Sequence, residues 1–368
     1  MRYGYWLPVF GGWLRNVENE HMEASWDYVR RLAVRSENLG FDVALVTEQN
    51  LNDIKQPDAP VLDAWSTAAA LAAITRRLEL MVAVRPAFHE PALLAKQAAN
   101  VDCISSGRLT LNVVSTWWAD EARQYGIPFA PEDDQYARTA EWLDVVHGLW
   151  RSDRFTFSGR YYRTRNTIVE PKPASQPYPL VYGGAESDAG AALTAGRCDA
   201  CILDGDAPER IALKIADLRR RRKQARRPPL TFGMAAYVIL RDTEREASDE
   251  LQRITDVRRT TASYRHYRQW IEATGLDRPF SLEDYAVCHG GLRAGLIGTR
   301  ERVAERIADF QRAGISLLLL QCSPQLEEMD RFASAIISSD RSALPTGVVP
   351  DRVLPSQVAT SREHGAAR

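Results

Sequence analysis

Strand-like and helix-like segments alternate through this chain, and that rhythm constrains the fold more than any motif. Short apolar runs of strand length occupy residues 2–8, 42–48, 78–84, 109–114, 180–182, 200–203, 230–240 and 316–321. Segments of helical periodicity separate them at 26–39, 63–75, 91–105, 131–150, 187–195, 208–223, 299–313 and 324–338. Gly40 stops the first helix and Pro91 opens the third. Continuous apolar runs such as the four leucines at 317–320 suit a parallel sheet covered on both faces. Eight β–α pairs predict a closed (β/α)8 TIM barrel with insertions. An open doubly wound sheet is the competitor, but no G-x-G-x-x-G follows the first strand.

Three stretches interrupt the rhythm. Residues 154–168 are rich in Phe, Tyr, Thr and Arg around a Ser158-Gly159 turn, which predicts a hairpin. Residues 49–62 and 250–297 exceed ordinary loop length, and such insertions serve as lids or interface elements. Residues 1–340 read as one domain and 341–368 as a C-terminal tail rich in Pro, Ser and charge.

Composition excludes several classes. A net charge of −1 gives no field to gather nucleic acid or an anionic membrane. No apolar run reaches spanning length, and the start is too short and polar for a signal peptide, so the expected location is cytoplasmic. The basic block at 219–227 reads as a solvated helix end complementing the macrodipole. Five cysteines, an odd number, argue against a disulfide framework. Cys198 and Cys201 form C-x-x-C without a second ligand pair for zinc and read as structural residues of a buried strand.

The site of such a barrel lies at the C-terminal strand ends. These are Trp6, Thr47, Glu48, Gln49, Arg85, His89, Asn112, Ser115, residues 183–187, Asp204, Tyr237 and Gln321. The set holds no H-x-H metal pair, and the chain has no H-E-x-x-H and no G-x-S-x-G. Polar groups among aromatics, without a triad or a metal, fit a site where a cofactor carries the chemistry. In G-G-A-E-S-D-A-G, two glycines and Ser187 at a helix start can hold a phosphate monoester or form a plain N-cap. In N-V-V-S-T-W-W-A-D-E, Asn112 and Ser115 suit a heterocycle edge, and Trp117 and Trp118 suit a pocket wall or the core.

Six segments in order carry a resemblance: Y-W-L-P, S-S-G-R-L-T-L-N-V-V-S, Y-A-R-T-A-E, F-S-G-R-Y-Y, E-P-K-P and Y-G-G-A-E-S. Over about residues 1–340 the chain resembles the bacterial luciferase-like flavin monooxygenases. Within them it is similar to the branch of alkanesulfonate and dimethylsulfone monooxygenases and the pyrimidine ring-opening oxygenase. The resemblance implies a two-component system in which a separate NAD(P)H:flavin reductase supplies reduced FMN. The barrel would then activate O2 as a peroxyflavin and oxidise a small sulfonate, sulfone or heterocycle. It also implies a homodimer or homotetramer. Rivals are an F420-dependent oxidoreductase of the same superfamily and a non-catalytic flavin-binding barrel.

Positions matching the family's flavin contacts are Glu48, Gln49, Asn112, Glu121, Tyr136, Arg138, Thr139, Gly184 and Ser187. Arg138 and Ser187 suit phosphate, and Asn112 and Glu121 suit ring and ribityl polar atoms. Candidates around the substrate are Trp6, Arg85, His89, Trp117, Tyr237, His289 and Arg293. Arg85 can bind an anionic group or pair with a mouth carboxylate, and His89 can donate a proton or stand solvated. Trp6, Trp117 and Tyr237 would exclude water. Ala235 and Tyr237 stand where the alkanesulfonate enzymes carry R-x-H, His289 where they carry Arg, and Ser323 where they carry Tyr. The flavin set is thus kept better than the substrate set.

Overall fold

A computed structural model describes residues 1–114, 118–256, 281 and 285–339, with Cys288 and His289 through their backbone alone. Its strands are β1 (Arg2–Leu7), β2 (Val43–Val46), β3 (Glu79–Val84), β4 (Leu109–Val113), β5 (Phe155–Ser158), β6 (Arg163–Thr167), β7 (Leu180–Gly184), β8 (Ala200–Leu203), β9 (Thr231–Leu240), β10 (Leu296–Gly298) and β11 (Leu317–Gln321). Eight of them form a closed parallel cylinder in the order β1-β2-β3-β4-β7-β8-β9-β11, with β11 returning to β1 through Arg2 opposite Leu317. The predicted (β/α)8 barrel is the observed one. β10 extends the edge of β9, and β5 pairs antiparallel with β6 as the expected hairpin.

The helices are α1 (Trp26–Leu39), α2 (Ala64–Ile74), α3 (Pro91–Ser105), α4 (Ala119–Gln124), α5 (Glu132–Arg151), α6 (Asp188–Arg197), α7 (Pro208–Gln224), α8 (Glu244–Thr255), α9 (Arg300–Ala313) and α10 (Gln325–Phe332). Local chemistry sets their ends. The Ser25 hydroxyl accepts from the Tyr28 N–H, and Gly40 closes α1 at φ 92°, where a Cβ would be strained. The predicted helix at 324–338 is regular only to Phe332 and continues as a wider turn over Ala333–Ile337. α4 and β10 were not anticipated.

Alternation divides each strand between two cores. Tyr3 and Tyr5 point outward, edge-on to Phe332 of α10 and to Phe41. Arg2, Gly4 and Trp6 therefore face the barrel interior. A Cβ on Gly4 would lie 2.8 Å from Leu319 and 2.9 Å from Val43, so the interior there is filled. At the N-terminal end Arg2 pairs with Glu79 at 2.7 Å and Thr110 donates to Glu79 at 3.1 Å, beside buried Tyr182. This polar layer closes the bottom of the cylinder.

Cys198, Cys201 and Cys322 are buried free thiols. Burial pushes the Cys198 thiol up to about 12, which agrees with a structural role. The basic block is only partly a solvated face. Arg221 pairs with Asp217 and Asp188, whereas Arg222 is buried and donates to the Ala195 carbonyl at 2.8 Å. No described helix is long and apolar enough to cross a membrane.

Candidate active site at the barrel mouth

Register and alternation bring Trp6, Thr47, Arg85, Asn112, Gly184, Asp204, Tyr237 and Gln321 to the inner C-terminal rim. Three segments surround the rim. Asn52 and Lys55 anchor the insertion at 49–62, donating to the Phe10 and Leu14 carbonyls at 2.9 and 3.0 Å. Leu14 bridges to Val287, and the turn Cys288–Ala294 lies flush on β9. A Cβ on Gly291 would lie 2.8 Å from the Tyr237 nitrogen, so only glycine allows that approach.

A charge network occupies the β2–β3 side. The Arg85 guanidinium meets both oxygens of Glu121, with Nη2 to Oε1 at 3.0 Å. The same Oε1 accepts the Asn50 N–H at 2.6 Å. Glu48 accepts the Arg85 N–H at 2.6 Å through Oε2, and its Oε1 meets His89 Nε2. Trp142 donates to the His89 carbonyl at 2.9 Å. Gln49 donates to Asp53 at 2.9 Å. Arg85 and Glu121 are almost wholly buried, so their mutual neutralisation is what makes them tolerable there. Of the two readings of Arg85, the structure realises the carboxylate pair.

A second group forms at β7 and α6. Ser187 caps α6, accepting the Gly190 N–H at 3.2 Å, and its hydroxyl contacts the Tyr136 hydroxyl at 3.4 Å. Thr194 donates to the Gly184 carbonyl at 2.7 Å. Beside Gly184 the space a Cβ would enter is open for 4 Å, whereas at Gly183 a Cβ would meet Thr194 Oγ1 at 2.4 Å. The structure realises the N-cap at Ser187, and the open glycine, hydroxyl pair and helix start beside it leave room where an anion could be received. Arg138 is not brought to Ser187. Its Nε donates to the Tyr162 hydroxyl at 2.9 Å, and with Thr139 it lines a 20 Å³ cavity beside Pro86 and Phe129. Arg138 and Tyr136, two positions apart on α5, project from different sides of the helix. Trp117 and the His289 side chain lie outside the described residues.

Three rim residues carry chemistry that strand-end position alone did not reveal. Gln321 is fully buried, and neither its Oε1 nor its Nε2 has a hydrogen-bond partner; nor has the buried Thr47 Oγ1. Polar atoms left so at a barrel mouth suit a ligand with its own donors and acceptors. Asp204 sits near Glu186, Lys214 and Arg293. Burial, then Glu186, push its carboxyl up to about 8 against the two cations. No group able to hold a metal ion occurs among the described residues.

With this geometry in hand, comparison with known proteins is specific. The profile of the luciferase-like monooxygenase family matches residues 1–317. An FMNH(2)-dependent dimethylsulfone monooxygenase of Pseudomonas putida is 29% identical over 347 residues, 92% of this chain and 94% of that protein. Its counterpart in Pseudomonas fluorescens (strain Pf0-1) is 30% identical over 345 residues, 92% and 93% of the two chains. Among solved structures, DmoA from Hyphomicrobium sulfonivorans superposes with a TM-score of 0.80 at 16% identity, covering 97% of this chain and 92% of that one.

Proposed function

Because this chain belongs to the luciferase-like monooxygenase family, we propose that it is the oxygenase of a two-component, FMNH2- and O2-dependent system acting on a small neutral sulfone. An NAD(P)H:flavin reductase in the same cytoplasm would supply the reduced flavin, and the working form would be a homodimer or homotetramer. The relatives' names support the cofactor and the substrate class. The observation that carries the reading is the pairing, at one mouth, of a phosphate cradle at Gly184–Ser187 with buried polar atoms lacking partners on Thr47 and Gln321.

Reduced FMN, when bound, supplies the reaction with oxygen that no side chain here can perform. Ser187, Tyr136 and the first turn of α6 would hold its phosphate. Asn112, Thr47 and Gln321 would meet the polar edges of ring or substrate. Trp6 and Tyr237, both buried, keep water from the reacting centre. His89, steadied by Glu48 and Trp142, holds a proton at Nε2 on the rim. Arg85 supports a neutral substrate: its charge faces Glu121 and Glu48, so this guanidinium offers no net charge to a sulfonate.

The test is oxygen uptake by the purified chain with a flavin reductase, NADH, FMN and dimethyl sulfone. Uptake that depends on sulfone and falls by about a hundredfold in Ser187→Ala/Tyr136→Phe is expected, the scale of a lost cofactor anchor. Turnover that persists anaerobically, or with deazaflavin alone, would overturn the reading.

A further inference from the structure

The helices of a β/α barrel run antiparallel to its strands, so their C-terminal ends lie on the face away from the mouth. On that face the last turns of α5 and α6 border a cavity of 340 Å³. Arg151, Arg197 and Arg227 converge on it around His147. Asp144 answers Arg197 through two bonds of 3.0 and 3.1 Å. Arg151 rests over the Tyr178 ring at 4.5 Å. Asp199 lies nearby, but its carboxylate already accepts the Val181 N–H and the Tyr178 hydroxyl. His147 is 7% exposed, and its Nε2 has no hydrogen-bond partner; the buried Nε of Arg227 also has none.

Arginines at helix C-termini complement the dipole, which accounts for Arg151 and Arg197. It does not account for a cavity on which three guanidiniums converge with only one of them, Arg197, answered by a lining carboxylate, Asp144. We propose that this cavity binds a small organic anion, its oxyanion head received by Arg151 and Arg227 beside the His147 ring, and its apolar body lying against Phe155. Guanidinium forks match oxyanions in geometry and charge. The imidazole is neutral here, since burial and then the surrounding guanidiniums push it down to about 3, so it adds no charge of its own to the cavity wall. A volume equal to about eleven liquid waters exceeds a bare phosphate, hence an organic body. Arg151 stands thirteen residues beyond Arg138 on α5, roughly 20 Å along the axis, so this site is distinct from the mouth.

Calorimetry on the full-length, FMN-saturated protein tests this, with phenyl phosphate and inorganic phosphate as probes. Phenyl phosphate is expected to saturate one site per chain, about tenfold tighter than inorganic phosphate. Arg151→Gln and Arg227→Gln should each weaken it about tenfold while leaving FMN affinity and turnover unchanged. Saturation should also shift the His147 imidazole nitrogen resonance, a readout that serves if a variant does not fold. Absence of saturable binding at a Kd of about 1 mM or below overturns the proposal. So does binding untouched in the double variant, or binding abolished by Ser187→Ala, which would place the probe at the mouth.

Discussion

Burying an amide without partners costs about 1–3 kcal/mol, and Gln321 buries both of its polar atoms that way. Gln321→Leu should therefore raise the unfolding free energy of the flavin-free protein by about 1 kcal/mol and lower sulfone turnover by about tenfold or more. Denaturant titration beside steady-state kinetics reads both, and a variant neutral in both assays would deny Gln321 a ligand. Arg85 presents the opposite case. Arg85→Met leaves Glu121 buried and unanswered, for an expected loss of about 3–5 kcal/mol. Arg85→Met/Glu121→Leu should recover most of it; a double variant no better than the single would exclude the pair as the cause. Glu48, Arg85, His89 and Glu121 were all legible in the sequence as strand-end or family positions. A pairing of Arg85 with a mouth carboxylate was one of its two readings; that the partner is Glu121 was not legible, because 36 residues separate them and no local pattern joins them. Tyr136, which the resemblance already implied near a phosphate, does lie beside Ser187, whereas distance along the chain hid that Arg138 turns to Tyr162 instead.

The hairpin β5–β6 docks on α5 through hydrogen bonds from its turn to Glu141 and through one close apolar fit. A Cβ on Gly148 would lie 2.2 Å from the Phe155 ring, so α5 carries glycine in its interior despite the propensity cost. Gly148→Ala should destabilise by about 1–3 kcal/mol through overpacking, and Phe155→Leu in the same chain should restore the melting temperature. If the alanine variant were more stable, helix propensity would have outweighed the contact. Elements with a period were readable: eight strands alternate with helices, and the hairpin announced itself by its aromatics and Ser-Gly turn. α4, six residues long, and β10, three residues long, have no period to read and exist through tertiary contact.

Across the molecule, buried His147 and half-buried Asp204 set opposite responses to pH. The His147 pKa falls from about 6.5 unfolded to about 3 folded, so its stabilisation is present above 6.5 and lost as pH falls toward 3. The Asp204 carboxyl rises instead from about 4 to about 8, so its contribution is present at low pH and lost as pH climbs through 8. Thermal midpoints measured across pH should flatten on the acid limb in His147→Phe and on the alkaline limb in Asp204→Asn. Parallel curves for either variant and the parent would refute that assignment. The Arg2–Glu79–Thr110 layer has a kinetic corollary. With its lower end stoppered and its interior packed, the cylinder offers ligands a single doorway, so under the proposed function flavin and sulfone would share it, and whichever lies deeper would have to enter first.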